Sequence, residues 1–306
     1  MSATGVVHQR VSPATLGVVR AVVFLMWLAV VVPDPLSFLG RLPDTLFKPV
    51  GPMMLVPRDV WLALLDPVAL DAFKGALIVL LVLSAIGVRP YRPIALAAVV
   101  MLTIHQGLVR SFTFTNHEEL ALLVCAYVLV LFPAADGFAW PPRRVPSRPA
   151  GTYSAALLAM TLLLLLPYCG IAAHRIASAA PDVFVGESLP YWLASLSGLD
   201  RDGWGVGPWL LGHPALVTLL KAGFVMTTAF ELLAPLCLIL PRFRRVWIVV
   251  VVGFHVVNWF TLNLFFWQNA LLVLLLVSDT EAVVTKLRAI TSRQQIKILA
   301  RPANTT

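Results

Sequence analysis

The fold is decided by the stretch from Ala215 to Val277, which contains three apolar runs. It reads ALVTLLKAGFVMTTAFELLAPLCLIL (215–240), then the basic join PRFRR (241–245), then VWIVVVVGFHVVNWFTL (246–262), and a third run over 264–277. Glu231, His255 and Asn258 lie inside these runs. An unpaired polar group at that depth costs several kcal/mol, so we expect these side chains to face the protein interior. Antiparallel packing of the two long runs as helices would bring the acid near the histidine and the asparagine.

The composition of the whole chain indicates a helical membrane protein. It has 306 residues, of which 59% are hydrophobic and only 12% are charged, which is typical of a multi-span helical membrane protein. The net charge of +8 comes largely from short basic clusters between apolar runs, a pattern of membrane topology and not of a nucleic-acid groove. The three cysteines lie within apolar segments without paired spacing, so we expect no disulfide framework. We also expect the first apolar run to be retained as a span, because no small-residue cleavage site follows it.

The apolar runs predict an all-α membrane protein with a bundle of about eight transmembrane helices, since about 20 residues cross a hydrocarbon core. The predicted spans are 15–32, 72–88, 93–108, 116–132, 153–173, 215–240, 246–262 and 264–277. The last span is short, so we expect it to tilt or re-enter. The intervening segments 36–71 and 176–213 are too polar to cross, and residues 60–65 predict a short helix on the membrane surface.

Loop charges predict the orientation of these spans. With the N-terminus in the cytoplasm, every short cytoplasmic loop is basic, and the opposite side receives most of the loop aspartates. The cytoplasmic clusters are Arg89 and Arg92; Arg143, Arg144 and Arg148; and Arg242, Arg244 and Arg245. The C-terminus is then cytoplasmic too. Residues 1–280 form the transmembrane domain, and 281–306 form a basic tail that is partly amphipathic.

This topology places several polar residues in the outer half of the bundle. They are Asn116 and His117 at the start of the fourth span, His174 and Arg175 at the end of the fifth, and His255 and Asn258 on the seventh. His105 lies deep in the third span and Glu231 deeper on the sixth. Together these residues predict a polar site that opens outward.

Four stretches in the same order carry a resemblance to a known family. They are SPATLGVVR (12–20), Asn116-His117 at a helix entry, Tyr168 to Ile176, and Phe254-His255-x-x-Asn258. From Ser12 to Ser278 the chain resembles the membrane region of the vitamin K-dependent gamma-carboxylases and their bacterial relatives, the horizontally transferred transmembrane domain (HTTM) family. The resemblance implies a bacterial plasma (inner) membrane protein and a reduced, vitamin K-like quinone as cofactor.

The resemblance also implies a chemistry. In the carboxylases a reduced quinone is oxygenated at a membrane-embedded site, and the strong base so formed removes a proton from a glutamate side chain, which then adds carbon dioxide. The family's starting base is a lysine, and that position here is His174-Arg175. Arginine stays protonated, so His174 is the expected base. The soluble domain that follows the membrane region in the carboxylases is not in this sequence. We therefore do not expect protein-glutamate carboxylation from this chain alone. A separate soluble partner protein is an alternative source of that domain.

Each candidate residue then has an expected role. His174, His117 and His255 are the catalytic candidates, which orient or deprotonate the substrate. Asn116 and Asn258 would donate hydrogen bonds to a developing oxyanion. The remaining cofactor-binding candidates are Arg175, Glu231 and His105.

The alternative is a non-catalytic membrane protein for binding or assembly, whose polar interior is structural. Asn116 would then cap a helix, and His255 and Asn258 would form hydrogen bonds between helices. Glu231 would pair with Lys221 or with a histidine. We expect no metal site, because no pair of ligands with the spacing HxxxH or HxxE lies on one helix.

Overall fold

The computed structural model describes residues 10–112, 119–142, 144–149, 151–179, 182–197, 206–264 and 266–299. In these ranges the chain is helical and contains no β-strand. The α-helices are α1 (Pro13–Val31), α2 (Arg58–Leu64), α3 (Pro67–Ile86), α4 (Tyr91–Phe112), α5 (Leu120–Leu131), α6 (Thr152–Ala179), α7 (Asp182–Val185), α8 (Ser188–Ser197), α9 (Gly207–Leu211), α10 (Pro214–Leu232), α11 (Pro241–Leu262), α12 (Trp267–Leu272) and α13 (Thr280–Leu299). Shorter 3₁₀ turns span Leu36–Arg41, Asp44–Leu46, Gly51–Leu55 and Ala234–Leu238, and a π-helical turn spans Val273–Val277.

Six of these helices are long and apolar enough to cross a membrane: α1, α3, α4, α6, α10 and α11. They confirm the prediction of an all-α integral membrane protein. α5 and the segment Trp267–Val277 are apolar but shorter. These two correspond to the predicted fourth and eighth spans.

Helix boundaries follow local chemistry that the apolar pattern did not resolve. α10 ends at Leu232 because Pro235 cannot continue it, and the chain turns through Ala234–Leu238. α11 begins at Pro241, so the basic cluster expected in a loop forms its first turns. Proline is favoured at the first position of a helix, since its missing N–H has no partner there. α11 ends at Leu262 and is capped by Asn263, which has a φ of 53°.

The helices divide into two compact units. The first unit comprises the described residues within 10–112, 126–157 and 279–299, and the second those within 119–125, 158–264 and 266–278.

The first unit is centred on Arg20, which is fully buried on α1. Its guanidinium donates to the backbone oxygens of Ala134 at 2.9 Å, Ala85 at 3.1 Å and Phe138 at 2.5 Å. These bonds join α1, the end of α3 and the loop after α5, and they satisfy a charge that would otherwise be costly to bury.

At its other end, the first unit packs the segment between α1 and α3 into an apolar cluster. The cluster consists of Leu36, Leu39, Phe47, Met53, Trp61, Leu65, Leu70 and Leu108. α2 forms where a short surface helix was predicted, but one face of it is buried: the indole of Trp61 is only 8% exposed and donates to the Met53 oxygen at 2.8 Å. The segment is therefore part of the folded unit as well as its surface.

The second unit contains α10, α11, α12, most of α6, and the short helices α7–α9. An apolar cluster of Leu189, Leu193, Leu210, Val217 and Leu262 joins α8 and α9 to α10 and α11. The indole N–H of Trp247 donates to the Phe230 oxygen at 2.9 Å, which ties α11 to α10. These contacts fix the rotation of α10 and α11 about their axes and so decide which polar side chains face each other.

Candidate functional site

The first element of the site is a buried pair of Tyr168 and His255. The Tyr168 hydroxyl on α6 lies 2.9 Å from Nε2 of His255 on α11. Trp247, two turns before His255, presents its ring edge-on to Tyr168 with the centroids 5.4 Å apart. Nε2 of the imidazole is thus engaged by the phenol, and the ring orientation is held by aromatic packing.

Nδ1 of the same imidazole is buried and has no hydrogen-bond partner among the described residues. Gln268 on α12 shows the same feature: its side chain is 4% exposed and its Oε1 has no partner within the described chain. Phe266, whose ring lies 5.8 Å from the ring of His255, precedes Gln268 by two residues along the chain. Buried polar atoms normally have partners, so the unpaired Nδ1 beside these aromatic rings is a position where a bound molecule can form a hydrogen bond.

The second element is an ion pair between α6 and α10. Nη1 of Arg175 lies 2.7 Å from Oε2 of Glu231 and donates to Oγ1 of Thr228, also at 2.7 Å. The Glu231 side chain is 4% exposed and that of Arg175 is 16% exposed. The pairing compensates two charges that would be costly if left alone in a membrane helix.

Aromatic rings lie between the two elements. The Arg175 guanidinium lies over the Phe224 ring at 4.6 Å. The Phe224 ring lies 6.2 Å from that of Phe254, which lies 5.9 Å from the imidazole of His255. Phe184 on α7 and Trp192 on α8 also contact Phe224, with centroids 6.1 Å away in each case. The two polar pairs are therefore lined by the same aromatic side chains, which can pack against a flat apolar ring of a ligand.

The structure brings three of the predicted residues, Arg175, Glu231 and His255, into this arrangement. Asn258 is half-buried on α11, and its backbone oxygen accepts from Leu264 N at 3.3 Å. His174 is exposed, and its Nδ1 lies 3.1 Å from Oγ of Ser178 on the same helix. None of the contacts described above for the two polar pairs involves His174.

Three predicted residues lie elsewhere. Asn116 and His117 fall outside the described residues. His105 belongs to the first unit, where it is fully buried and its Nε2 lies 3.1 Å from Oδ2 of Asp34. Nearby, Lys74 donates to the backbone oxygens of Val32 at 2.8 Å and Asp34 at 2.6 Å. His105 thus has a local acidic partner that the sequence pattern did not predict.

Sequence reasoning missed the roles of Tyr168, Thr228 and Gln268. Tyr168 and Arg175 are seven residues apart, so they project from one face of α6, and Thr228 precedes Glu231 by three residues on α10. These spacings could have indicated that Tyr168 and Thr228 lie on the same helix faces as the predicted site residues. Gln268 carried no comparable signal, because it lies next to Asn269 in a short apolar segment whose burial depends on tertiary packing.

Comparison of the chain with protein-family models, curated proteins and solved structures finds no match. The resemblance to the gamma-carboxylase family therefore stays a prediction that rests on the four sequence stretches.

Proposed function

We propose that the chain is an integral membrane protein that binds a reduced quinone, or a similar lipid-soluble ring compound, beside His255 and Tyr168. The observation that carries this proposal is the unpartnered Nδ1 of a buried histidine whose other nitrogen is held by a tyrosine. The gamma-carboxylase-like resemblance agrees with it, since it implies a quinone-using enzyme of the HTTM class with a quinone in the membrane region.

The residues present fit such a molecule. A hydroquinone is a flat ring with hydroxyl groups on opposite sides, and it needs hydrogen-bond acceptors and aromatic contacts. Nδ1 of His255 can supply an acceptor, and Phe254 and Phe266 supply ring contacts near the imidazole. Oε1 of Gln268 is a second unpaired acceptor in the same unit. When bound, the quinone would supply a two-electron redox couple, and in carboxylase-like chemistry a strong base.

We propose that the proton transfer falls to His255 in preference to His174, because His255 is buried beside aromatic rings. His255 would accept a hydroxyl proton at Nδ1 in the tautomer whose Nε2–H donates to the Tyr168 oxygen, and this hydrogen bond holds the orientation of the ring. His174 is exposed and bonded to its own helix. Arg175 stays paired with Glu231, so it contributes a compensated charge and a cation over Phe224.

We also propose eight crossings with both termini in the cytoplasm. Within the first unit, the Tyr91 hydroxyl at the start of α4 donates to the Leu129 oxygen near the end of α5 at 3.2 Å. Oγ1 of Thr103, midway along α4, lies 2.7 Å from the Tyr127 hydroxyl. The chain that leaves the end of α4 has thus returned to its beginning by the end of α5, which supports a crossing by this short helix.

The positions of the chain ends support the same topology. The backbone N–H of Ser12, which caps α1, donates to the Glu281 carboxylate in the first turn of α13 at 2.8 Å. The start of α1 and the start of the tail therefore lie at one end of the first unit. A bacterial plasma membrane and a separate soluble partner protein are proposed on the resemblance alone.

The second candidate is a non-catalytic binding or assembly protein. It is favoured by the Arg175–Glu231 pair, in which the two side chains satisfy each other as polar contacts between helices do in structural interiors. Under this alternative, substitution of His255 lowers the stability of the protein and changes no ligand binding.

A binding titration separates the two candidates. Short-chain ubiquinone, reduced with dithionite, is added to the detergent-solubilised protein, and the quenching of tryptophan fluorescence is recorded, since Trp247 packs against Tyr168. We expect saturable quenching in the wild type and in His213→Ala, an exposed histidine of the same unit. His255→Ala should lose it while its melting temperature stays within a few degrees of the wild type. Equal quenching in all three proteins would contradict the proposed site.

A further inference from the structure

The first unit contains a large cavity at the end where α1 begins, α3 ends and α4 begins. Its volume is about 630 Å³, within the range of ligand pockets, which is roughly 300–1,000 Å³. Most of its wall is apolar, including Leu25 on α1, Ile86 on α3 and Trp140 in the loop after α5. Two arginines, Arg89 and Arg288, also line it.

A second cavity of about 640 Å³ adjoins the first and is basic. Arg89 and Asp136 line both cavities, and the second also includes Arg92 and Arg148. Nε of Arg148 lies 2.9 Å from Oδ2 of Asp136, so this acid is already compensated. The combined site therefore carries a clear excess of positive charge next to an apolar wall.

The position of the cavities places them at a membrane boundary. α1, α3 and α4 are three of the six helices able to cross a membrane, and the cavities lie at their shared end. Trp140 and Phe138 are 64% and 67% exposed there, and aromatic side chains are enriched at the level of lipid headgroups. A molecule that binds here meets water and headgroups on one side and hydrocarbon on the other.

From this arrangement we infer a binding site for an anionic phospholipid in the first unit. The phosphate-bearing headgroup occupies the basic cavity beside Arg89 and Arg92. An acyl chain follows the apolar cavity along Leu25, Ile86 and Phe138 towards the bilayer. Basic pockets between membrane helices on the cytoplasmic side bind anionic headgroups in this way.

Arg89 is central to the test because it lines both cavities. Purified full-length protein in detergent is stripped of lipid and titrated with palmitoyl-oleoyl phosphatidylglycerol, and bound lipid is counted by native mass spectrometry. We expect one tight site in the wild type. Arg89→Gln should weaken binding about fivefold and the double variant Arg89→Gln/Arg288→Gln about 25-fold, as expected for one surface arginine each.

The matched control is Arg41→Gln, an exposed arginine of the same unit in the 3₁₀ turn that follows α1. It should bind phosphatidylglycerol as the wild type does, and all variants should keep the helical circular dichroism of the wild type. Equal binding of phosphatidylcholine with no dependence on Arg89 would overturn the site as ordinary lipid contact. Displacement of phosphatidylglycerol by millimolar inorganic phosphate would overturn the lipid assignment in favour of a soluble phosphate.

Discussion

At the scale of single residues, the contacts of Arg175 show how the buried Glu231 carboxylate and its half-buried partner are accommodated in the second unit. Its guanidinium has a carboxylate and a hydroxyl as acceptors and a phenyl ring below it. A partner for Glu231 was expected from the sequence, but Lys221 or a histidine was the candidate. The sequence pattern could not identify the partner of Glu231, because a helix that is apolar on all sides does not reveal its rotation about its axis. That rotation decides which side chains come into contact.

The Arg175–Glu231 pair predicts strong non-additivity. Arg175→Met leaves a carboxylate buried without a partner, so we expect a loss of about 3–5 kcal/mol in the free energy of unfolding. Arg175→Met/Glu231→Gln removes both charges and should recover most of that loss. The measurement is thermal or denaturant unfolding in detergent for both single variants and the double variant. Simple additivity of the two single effects would show that the pair does not act as a unit.

The Tyr168–His255 pair shows the same limit of sequence reasoning. His255 was selected because a histidine within an apolar run needs a partner, and the structure supplies one. The partner itself, Tyr168, was not among the candidate residues. A tyrosine in an apolar helix gives no sign of where its hydroxyl points until the neighbouring helix is in place.

At the scale of elements, prolines and capping residues set the helix boundaries better than hydropathy does. Asp66 caps α3 by accepting from the backbone N–H of Val68 at 3.0 Å and of Ala69 at 2.9 Å. Gly87 ends the same helix with a φ of 71°. The apolar pattern placed the start of this span at residue 72, because the segment 36–71 was treated as non-spanning up to Asp71. Capping rules recover the additional turn.

Gly87 and Gly75 on α3 give a matched pair of glycine substitutions. A Cβ on Gly87 would lie 2.4 Å from Nη1 of Arg20, and the left-handed backbone is unfavourable for alanine, so Gly87→Ala should cost at least about 1–2 kcal/mol. Gly75→Ala has open space around its Cβ and should be neutral or stabilise α3 by up to about 1 kcal/mol. Melting temperatures of the two variants in one detergent make the comparison. A stable Gly87→Ala protein would show that the Arg20 contacts can be rearranged at little cost.

At the scale of the whole molecule, composition carried the prediction of the fold class, and loop charge carried the orientation, which stays a prediction. The low charged fraction indicated a membrane protein, and six helices of sufficient length agree with it. The segment between α1 and α3 was predicted less well. Prolines and charged residues interrupt it, and the residues that pack inward, such as Trp61 and Phe47, are separated along the chain, so their cluster appears only when the chain is folded.

Topology is open to a direct test with single cysteines. Ser147 lies in the loop after α5 and Thr45 in the segment after α1, and both are exposed. We expect a membrane-impermeant maleimide to modify Thr45→Cys in intact cells and Ser147→Cys only after the membrane is permeabilised. The wild type is the background control, since Cys125 and Cys237 are buried and Cys169 is half-buried. Modification of both positions from the same side would refute the proposed eight crossings.

The central claim is that the second unit binds a lipid-soluble ring compound at Tyr168 and His255, and the most direct measurement is what co-purifies with the protein. Solvent extracts of the wild type, Tyr168→Phe and Tyr191→Phe are analysed by mass spectrometry. Tyr191 is the control, because it is 68% exposed. We predict about one quinone per chain in the wild type and in Tyr191→Phe, and about fivefold less in Tyr168→Phe, the effect of one lost hydrogen bond. Bulk phospholipid alone in the wild type, or equal quinone in the two tyrosine variants, would contradict the claim and favour a structural role for the polar interior.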